Sequence, residues 1–204
     1  MTISLPPRLL VPFLAAVFAM ASPVRAADDL PRPAALQPAV DFWTRIYSEV
    51  STSAGLLHDR NDLSIVYEKV ELQNGYRHPA RERRIRQRRA HYRRILETLA
   101  NGKRSNLGAE ERRVLNLWPE DVSNARLRRA AHGIRFQLGQ SDKFRRGLIR
   151  SGAWEPHMRS MLADMELPPE LAALPHVESS FNPDAYSRLG AAGIWQFTRL
   201  TGRR

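Results

Sequence analysis

The chain contains no cysteine among its 204 residues. Disulfides, thiolate metal sites and a lipid-modified N-terminal cysteine are thereby excluded. Lysine is scarce too: nearly all of the 32 basic residues are arginine. There is no internal repeat, and no low-complexity tract beyond the arginine runs. No glycine-rich phosphate loop and no hydrolase nucleophile elbow occurs, so no cofactor is implied. The six histidines (His58, His78, His91, His132, His157 and His176) show no metal-ligand spacing, and no metal site is implied. Beyond the first residues, no apolar run is long enough to cross a bilayer.

What is present fits a globular protein of one domain, or one domain with a smaller module. Hydrophobic residues make up 43% and charged residues 26%. The formal net charge of +11 favours anionic partners, and the compartment must choose among them. Arg8 precedes an apolar run from Leu9 to Ala21, and Val24-Arg25-Ala26 supplies a small-x-small exit. A basic start, an apolar centre and a small-residue exit describe a secretory signal peptide, here residues 1–26 with cleavage after Ala26. The alternatives are a buried N-terminal helix or an uncleaved anchor. Export implies a periplasmic location, with association to an anionic membrane surface open. It sets nucleic acid aside as a partner. Nothing in the sequence indicates an oligomeric state.

Residues 27–38 read as a linker, because Pro31, Pro33 and Pro38 oppose helix. Residues 39–164 read as a basic helical region. Phe42, Trp43, Ile46, Tyr47 and Val50 recur at helical spacing. Leu63 to Leu72 fits either a short strand or a buried helical turn. His78-Pro79 opens a helix that Asn101-Gly102 closes. Between Arg81 and Arg94 it carries eight arginines and one acid, Glu82. That face is either a surface for anionic polymer or membrane, or a solvated helix face. Further helices are expected from Gly108 to Trp118, from Val122 to Leu138, from Ser141 and from Glu155-Pro156. In the last, Met158, Met161 and Leu162 are expected core positions. The chain therefore reads as mainly α.

The stretch from Leu167 onward carries chemistry. Pro169 starts a short helix packing Leu171 and Leu174. Glu178 falls near its C-terminal end, where a carboxylate is electrostatically disfavoured. Val177 and Phe181 are expected to desolvate it. Asn182-Pro183 breaks the helix, and Asp184 reads as a turn residue. Gly190 and Gly193 suit left-handed geometry, and a second helix is expected from about Ala192, presenting Trp195 and Gln196. From spacing alone, Glu178 reads as a solvent-exposed residue of a helix–loop–helix. His176 reads as structural.

The run Leu174-Pro175-His176-Val177-Glu178-Ser179-Ser180-Phe181-Asn182-Pro183, leading into Gly193-Ile194-Trp195-Gln196, closely resembles the start of the lytic transglycosylase catalytic domain, nearest the membrane-bound type D branch. The resemblance implies that residues 165–204 form the start of a lysozyme-like α domain. It implies that Glu178 is the sole catalytic acid/base, that Ser187 supports the reacting sugar and that Gln196 lines the saccharide groove, with Trp195 and Phe197 as packing residues. It implies cleavage of peptidoglycan glycan strands at the MurNAc-GlcNAc bond with 1,6-anhydroMurNAc formation. Such domains continue for about another hundred residues, so a truncated form is expected. The alternative is a non-catalytic periplasmic module that binds cell wall or membrane.

Overall fold

The computed structural model describes residues 32–72 and 78–203. The expected signal peptide, residues 1–26, and the first part of the expected linker lie outside the described residues. Among the described residues there are seven α-helices and three strands, so the protein is mainly α, as its sequence implies.

The first helix, α1 (Gln37–Ser48), begins earlier than expected and takes in the end of the predicted linker. Pro38 sits in its first turn, where its missing N–H is not needed. Strands β1 (Ala54–Asp59) and β2 (Val66–Glu71) follow, resolving the ambiguous stretch in favour of strand. Then come α2 (His78–Ala100), α3 (Ala109–Leu115), α4 (Asn124–Gly133) and β3 (Ile134–Leu138). The predicted helix from Val122 to Leu138 is thus two elements. Ala130, Ile134 and Leu138 fit a helical spacing, but Ile134, Phe136 and Leu138 also alternate. The alternation wins because β3 pairs antiparallel with β1, Leu57 opposite Phe136 and His58 opposite Arg135.

The sheet order is β2-β1-β3, fully antiparallel. Every residue of β1 is buried, because the central strand is covered on both faces. On one face, Leu57, Tyr67, Val70 and Ile134 pack against Tyr92, Leu96 and Leu99 of α2 and Leu127 and Ala131 of α4. On the other, Leu56 packs against Phe42 and Ile46 of α1. Gly55 has no room for a side chain: a Cβ there would lie 2.3 Å from the Phe136 ring and 2.5 Å from the Gln137 carbonyl oxygen.

Two buried polar groups in β1 follow from this layering. Asp59 Oδ1 accepts from the backbone N–H groups of Asn61 (2.8 Å) and Asp62 (3.0 Å), holding the turn to β2. His58 lies against the Phe42 ring at 4.6 Å, with Nδ1 2.8 Å from the Asp59 carbonyl oxygen. Burial holds the His58 pKa below its ordinary value, against the opposing pull of Asp59. A histidine that is harder to protonate when folded contributes fully above its unfolded pKa of about 6.5. As pH falls from there toward the lower folded value, the unfolded state takes the proton first and stability drops. Urea unfolding followed between about pH 7.5 and 5 should show this decline, and His58→Gln should flatten it. An equal slope in the variant would assign the decline to other groups.

Helix α5 (Ser141–Ser151) leaves β3 and packs on α1, with Asp142 accepting from the Thr52 N–H and hydroxyl, both at 2.8 Å. Helix α6 (Glu155–Asp164) and α7 (Leu174–Glu178) complete the α-helices among the described residues, and α7 rests on α5. No helix among the described residues is long and apolar enough to cross a membrane.

Candidate functional site

Prolines build the platform for Glu178. Pro169 opens a 3-10 turn (Pro169–Ala173), and Pro175 sits in the first turn of α7. Glu178 is the last residue of α7. The chain then reverses abruptly: Ser180 (φ 52°) and Phe181 (φ 54°) are consecutive left-handed residues without being glycine. Such geometry costs on the order of 1 kcal/mol per residue and persists only where surrounding contacts enforce it. Three contacts do so here. The Phe181 N–H donates to Pro175 O at 3.1 Å, Arg150 Nε donates to Ser180 O at 3.0 Å, and the Phe181 ring is fully buried.

Phe181 belongs to a separate small core with Met158, Leu162 and Ala172, bordered by Leu171, Ile194 and Trp195. Its ring also meets His176 at 4.5 Å, and His176 meets Phe144 of α5 at 5.2 Å. Burial lowers the His176 pKa, and among the described residues its Nδ1 has no hydrogen-bond partner.

Gly147 of α5 lies directly beneath the reversal. A Cβ there would stand 3.1 Å from both the Cβ and the carbonyl oxygen of Ser180. Gly147→Val should displace that segment and cost about 2 kcal/mol. A lowered thermal midpoint, with faster hydrogen exchange across residues 178–182, would check this.

After Phe181 the chain forms a hydrogen-bonded loop. Asn182 Oδ1 accepts from the Asp184 N–H at 3.2 Å, the turn expected for that pair. Ser187 Oγ accepts from the N–H groups of Leu189 (3.3 Å) and Ala191 (3.0 Å). Gly190 (φ 81°) and Gly193 (φ 75°) take the left-handed geometry expected of them. The helix expected from Ala192 does not form. Gln196 is itself left-handed (φ 52°), and Ala192 makes isolated bridges to Tyr186 and Phe197. The Gln196 amide Nε2 donates to Ala185 O (3.1 Å) and Gly193 O (2.9 Å), closing the loop from within. Ser179 Oγ donates to Ile194 O at 2.7 Å and ties the loop to α7.

Glu178 itself is exposed, and among the described residues no hydrogen bond or ion pair holds its carboxylate. It lines an apolar groove of about 610 Å3 with Trp154, Met161, Met165, Trp195 and Phe197. It is the sole carboxylate among the lining residues. The apolar surroundings differ from those expected. Phe181 turns into the core, and Val177 borders a different hollow with Trp43, Tyr47 and Phe144. Met158 and Leu162 are buried as predicted, but Met161 is half exposed and opens onto the groove, as does Leu174. Trp195 packs as expected, while Phe197 is 56% exposed and stacks on it at 6.4 Å. Glu178 is thus placed with Trp195 and Phe197. Ser187 and Gln196 are joined to it through the loop but do not line this groove.

The sequence marks Tyr47 only as part of a helical pattern, not as a neighbour of Glu178. Burial, and secondarily the charge of Glu178, raise its pKa, which marks α1 as part of the electrostatic surroundings of Glu178. No local pattern could have disclosed it, since the two residues are far apart in the chain. Among the described residues no group of His, Asp or Glu is arranged to hold a metal ion.

Comparison with known proteins places this region. Residues 158–204 match the family model described as Transglycosylase SLT domain. A protein of Alteromonas sp. (strain M-1) named for tributyltin chloride resistance is 42% identical over 53 residues, which cover 24% of this chain and 26% of that protein. Membrane-bound lytic murein transglycosylase D of Escherichia coli (strain K12) is 46% identical over 52 residues, covering 24% of this chain and 12% of that protein. Its counterpart in Escherichia coli O6:H1 matches equally. The matched stretch thus spans about a quarter of the first relative's length and 12% of the second's. No solved structure matches the chain. The resemblance to lytic transglycosylases is borne out over this short C-terminal region.

Proposed function

We propose that a chain whose residues 158–204 match a transglycosylase domain uses Glu178 as the acid/base of peptidoglycan cleavage. The observation that carries this reading is a carboxylate with no pairing partner among the described residues, alone of its kind on the wall of an aromatic-lined apolar groove. The substrate would be glycan strands in the periplasm, reached after export, with the protein in the cell envelope.

The chemistry follows from having one carboxyl group. Glu178 protonates the bridging oxygen of the MurNAc-GlcNAc β-1,4 bond. The bond from C1 of the muramic acid breaks, and an oxocarbenium-like state develops. The substrate's own N-acetyl oxygen can stabilise it, since no second carboxylate lines the groove. Glu178, now ionised, takes the proton from the muramic acid 6-hydroxyl as that oxygen bonds to C1. The products are a 1,6-anhydroMurNAc end and a free GlcNAc 4-hydroxyl, and water is not consumed. Ser187 and Gln196 serve by keeping the loop 185–197 in the shape that sets Trp195 and Phe197 beside Glu178.

Digestion of purified sacculi in water enriched in oxygen-18 tests this. Anhydro-muropeptides without label are expected. Labelled reducing ends would indicate hydrolysis, and no product would favour a wall-binding module. Because the match spans a small part of the longer relative, the assay should use two forms: the chain itself, and the chain joined to the part of the Escherichia coli protein that follows the matched stretch.

A further inference from the structure

Helix α5 meets the segment around Glu178 along one stripe, at every third residue. The Phe144 ring lies 5.2 Å from His176. Gly147 sits so close under Ser180 that a Cβ would stand 3.1 Å from its carbonyl oxygen. Arg150 donates twice to that same oxygen, from Nε at 3.0 Å and from Nη2. Such spacing keeps the three on one side of the helix. Arg145, Arg146, Leu148 and Ile149, which fall between them, are exposed. The other end of α5 is fixed to the sheet layer. The N–H groups of Gly139, Gln140 and Ser141 donate to Ala54 O (2.9 Å), Ile46 O (3.0 Å) and Val50 O (2.9 Å). Asp142 accepts twice from Thr52, at 2.8 Å each. Helix α5 is therefore a strut from α1 and β1 to the reversal that follows Glu178. It lies wholly outside residues 158–204, the stretch that matches the transglycosylase domain.

The end of the strut bears on strained backbone. Ser180 (φ 52°) and Phe181 (φ 54°) are both left-handed, and strain of this kind is kept only where neighbours enforce it. Within the turn, the Phe181 N–H closes on Pro175 O at 3.1 Å. From outside, the Arg150 fork grips the Ser180 carbonyl. A planar guanidinium sets two donors on one oxygen and so fixes the direction of the carbonyl as well as its place. An ammonium group has no such fork. With that carbonyl released, Ser180 is free to return to the right-handed region. The end of α7 then loses its stop, and Glu178, two residues earlier, turns away from the groove wall it lines.

We propose that Arg150 is a positioning residue for Glu178, supplied by the region that precedes the matched domain. It acts through the Ser180 carbonyl and touches neither the carboxylate nor the sugar. This inference rests on the transglycosylase reading of Glu178. It makes the basic helical region part of the catalytic apparatus, not only a separate wall-binding module. The test measures kcat and KM on soluble peptidoglycan glycan fragments, in whichever of the two forms described above releases anhydro-muropeptides. Arg150→Met keeps the apolar stem and removes the donors. Arg150→Lys keeps the charge and removes the fork. Val70→Ala, in the sheet core, is the control for lost stability alone.

Below all the thermal midpoints, kcat should fall about 10²-fold in Arg150→Met, the scale of a misplaced catalytic group. It should fall about tenfold in Arg150→Lys, a partial rescue by the retained charge. KM should stay unchanged in both, since the interaction lost serves the reacting state and not the binding of sugar. Val70→Ala should lower the midpoint and leave kcat in place. Exchange of the Phe181 amide should quicken in Arg150→Met and not in Val70→Ala. An unchanged kcat in Arg150→Met overturns the positioning role by itself and leaves Glu178 as the acid/base. So does a loss confined to KM, or an equal fall of kcat in Val70→Ala. Release of product by neither form of the wild-type chain overturns the reading of Glu178 and the positioning role together.

Discussion

Glu178→Gln is expected to lower anhydro-muropeptide release by about 10³-fold or more while leaving the fold intact. The substitution preserves shape and removes the ability to give and take a proton. In the proposed mechanism one residue acts in both steps, so no other group covers for its loss. The side chain is exposed and makes no hydrogen bond among the described residues, so its replacement leaves no buried partner unsatisfied. Thermal midpoints should therefore agree closely. Ser187→Ala and Gln196→Ala should behave differently. Each removes hydrogen bonds that hold the loop, two accepted by Ser187 Oγ and two donated by Gln196 Nε2. Their expected effect is a partial loss of activity, roughly tenfold, joined to a looser loop in hydrogen exchange. Release by Glu178→Gln at the wild-type rate would remove Glu178 from its role, whatever the other two variants did.

The contrast between these residues shows how far the sequence could be read. Glu178 was legible through the ordered series of unusual residues around it; spacing alone favoured an exposed surface residue. The helix boundaries at His78-Pro79, Asn101-Gly102 and Glu155-Pro156 were legible because glycine and proline act locally. Val66–Glu71 was legible only as one of two alternatives, and the other two strands were not legible. Ala54–Asp59 is buried on both faces and carries no alternation to announce itself. Ile134–Leu138 satisfies two periods at once, and only pairing with a strand some eighty residues earlier decides between them. The stretch after Ala192 has helical composition, yet three hydrogen bonds internal to the loop, from Gln196 Nε2 and the Ala192 N–H, hold it out of a helix. The groove was hidden in plain spacing: Trp154, Met158, Met161 and Met165 form one helical stripe, and burial divides it between core and wall.

That division makes Phe181 the position where stability and the site meet. Phe181→Ala should destabilise the C-terminal segment by about 3–5 kcal/mol, the usual range for emptying a buried aromatic site. The ring is fully buried and shares a core with Met158 of the stripe. Its removal leaves a hollow under α7, frees His176 from one of its two aromatic neighbours, and relaxes the left-handed pair at Ser180 and Phe181. The sheet core is a separate cluster with its own helices, α2 and α4, and shares no buried residue with this one. Hydrogen exchange should accordingly quicken across residues 158–197 while β1 and α2 keep their protection. The control is Leu57→Ala, which opens a cavity in the sheet core and should reverse the pattern. Uniform loss of protection in both variants would mean that the two cores unfold as one unit. In that case the position of Glu178 would depend on the whole fold rather than on the small core beneath it.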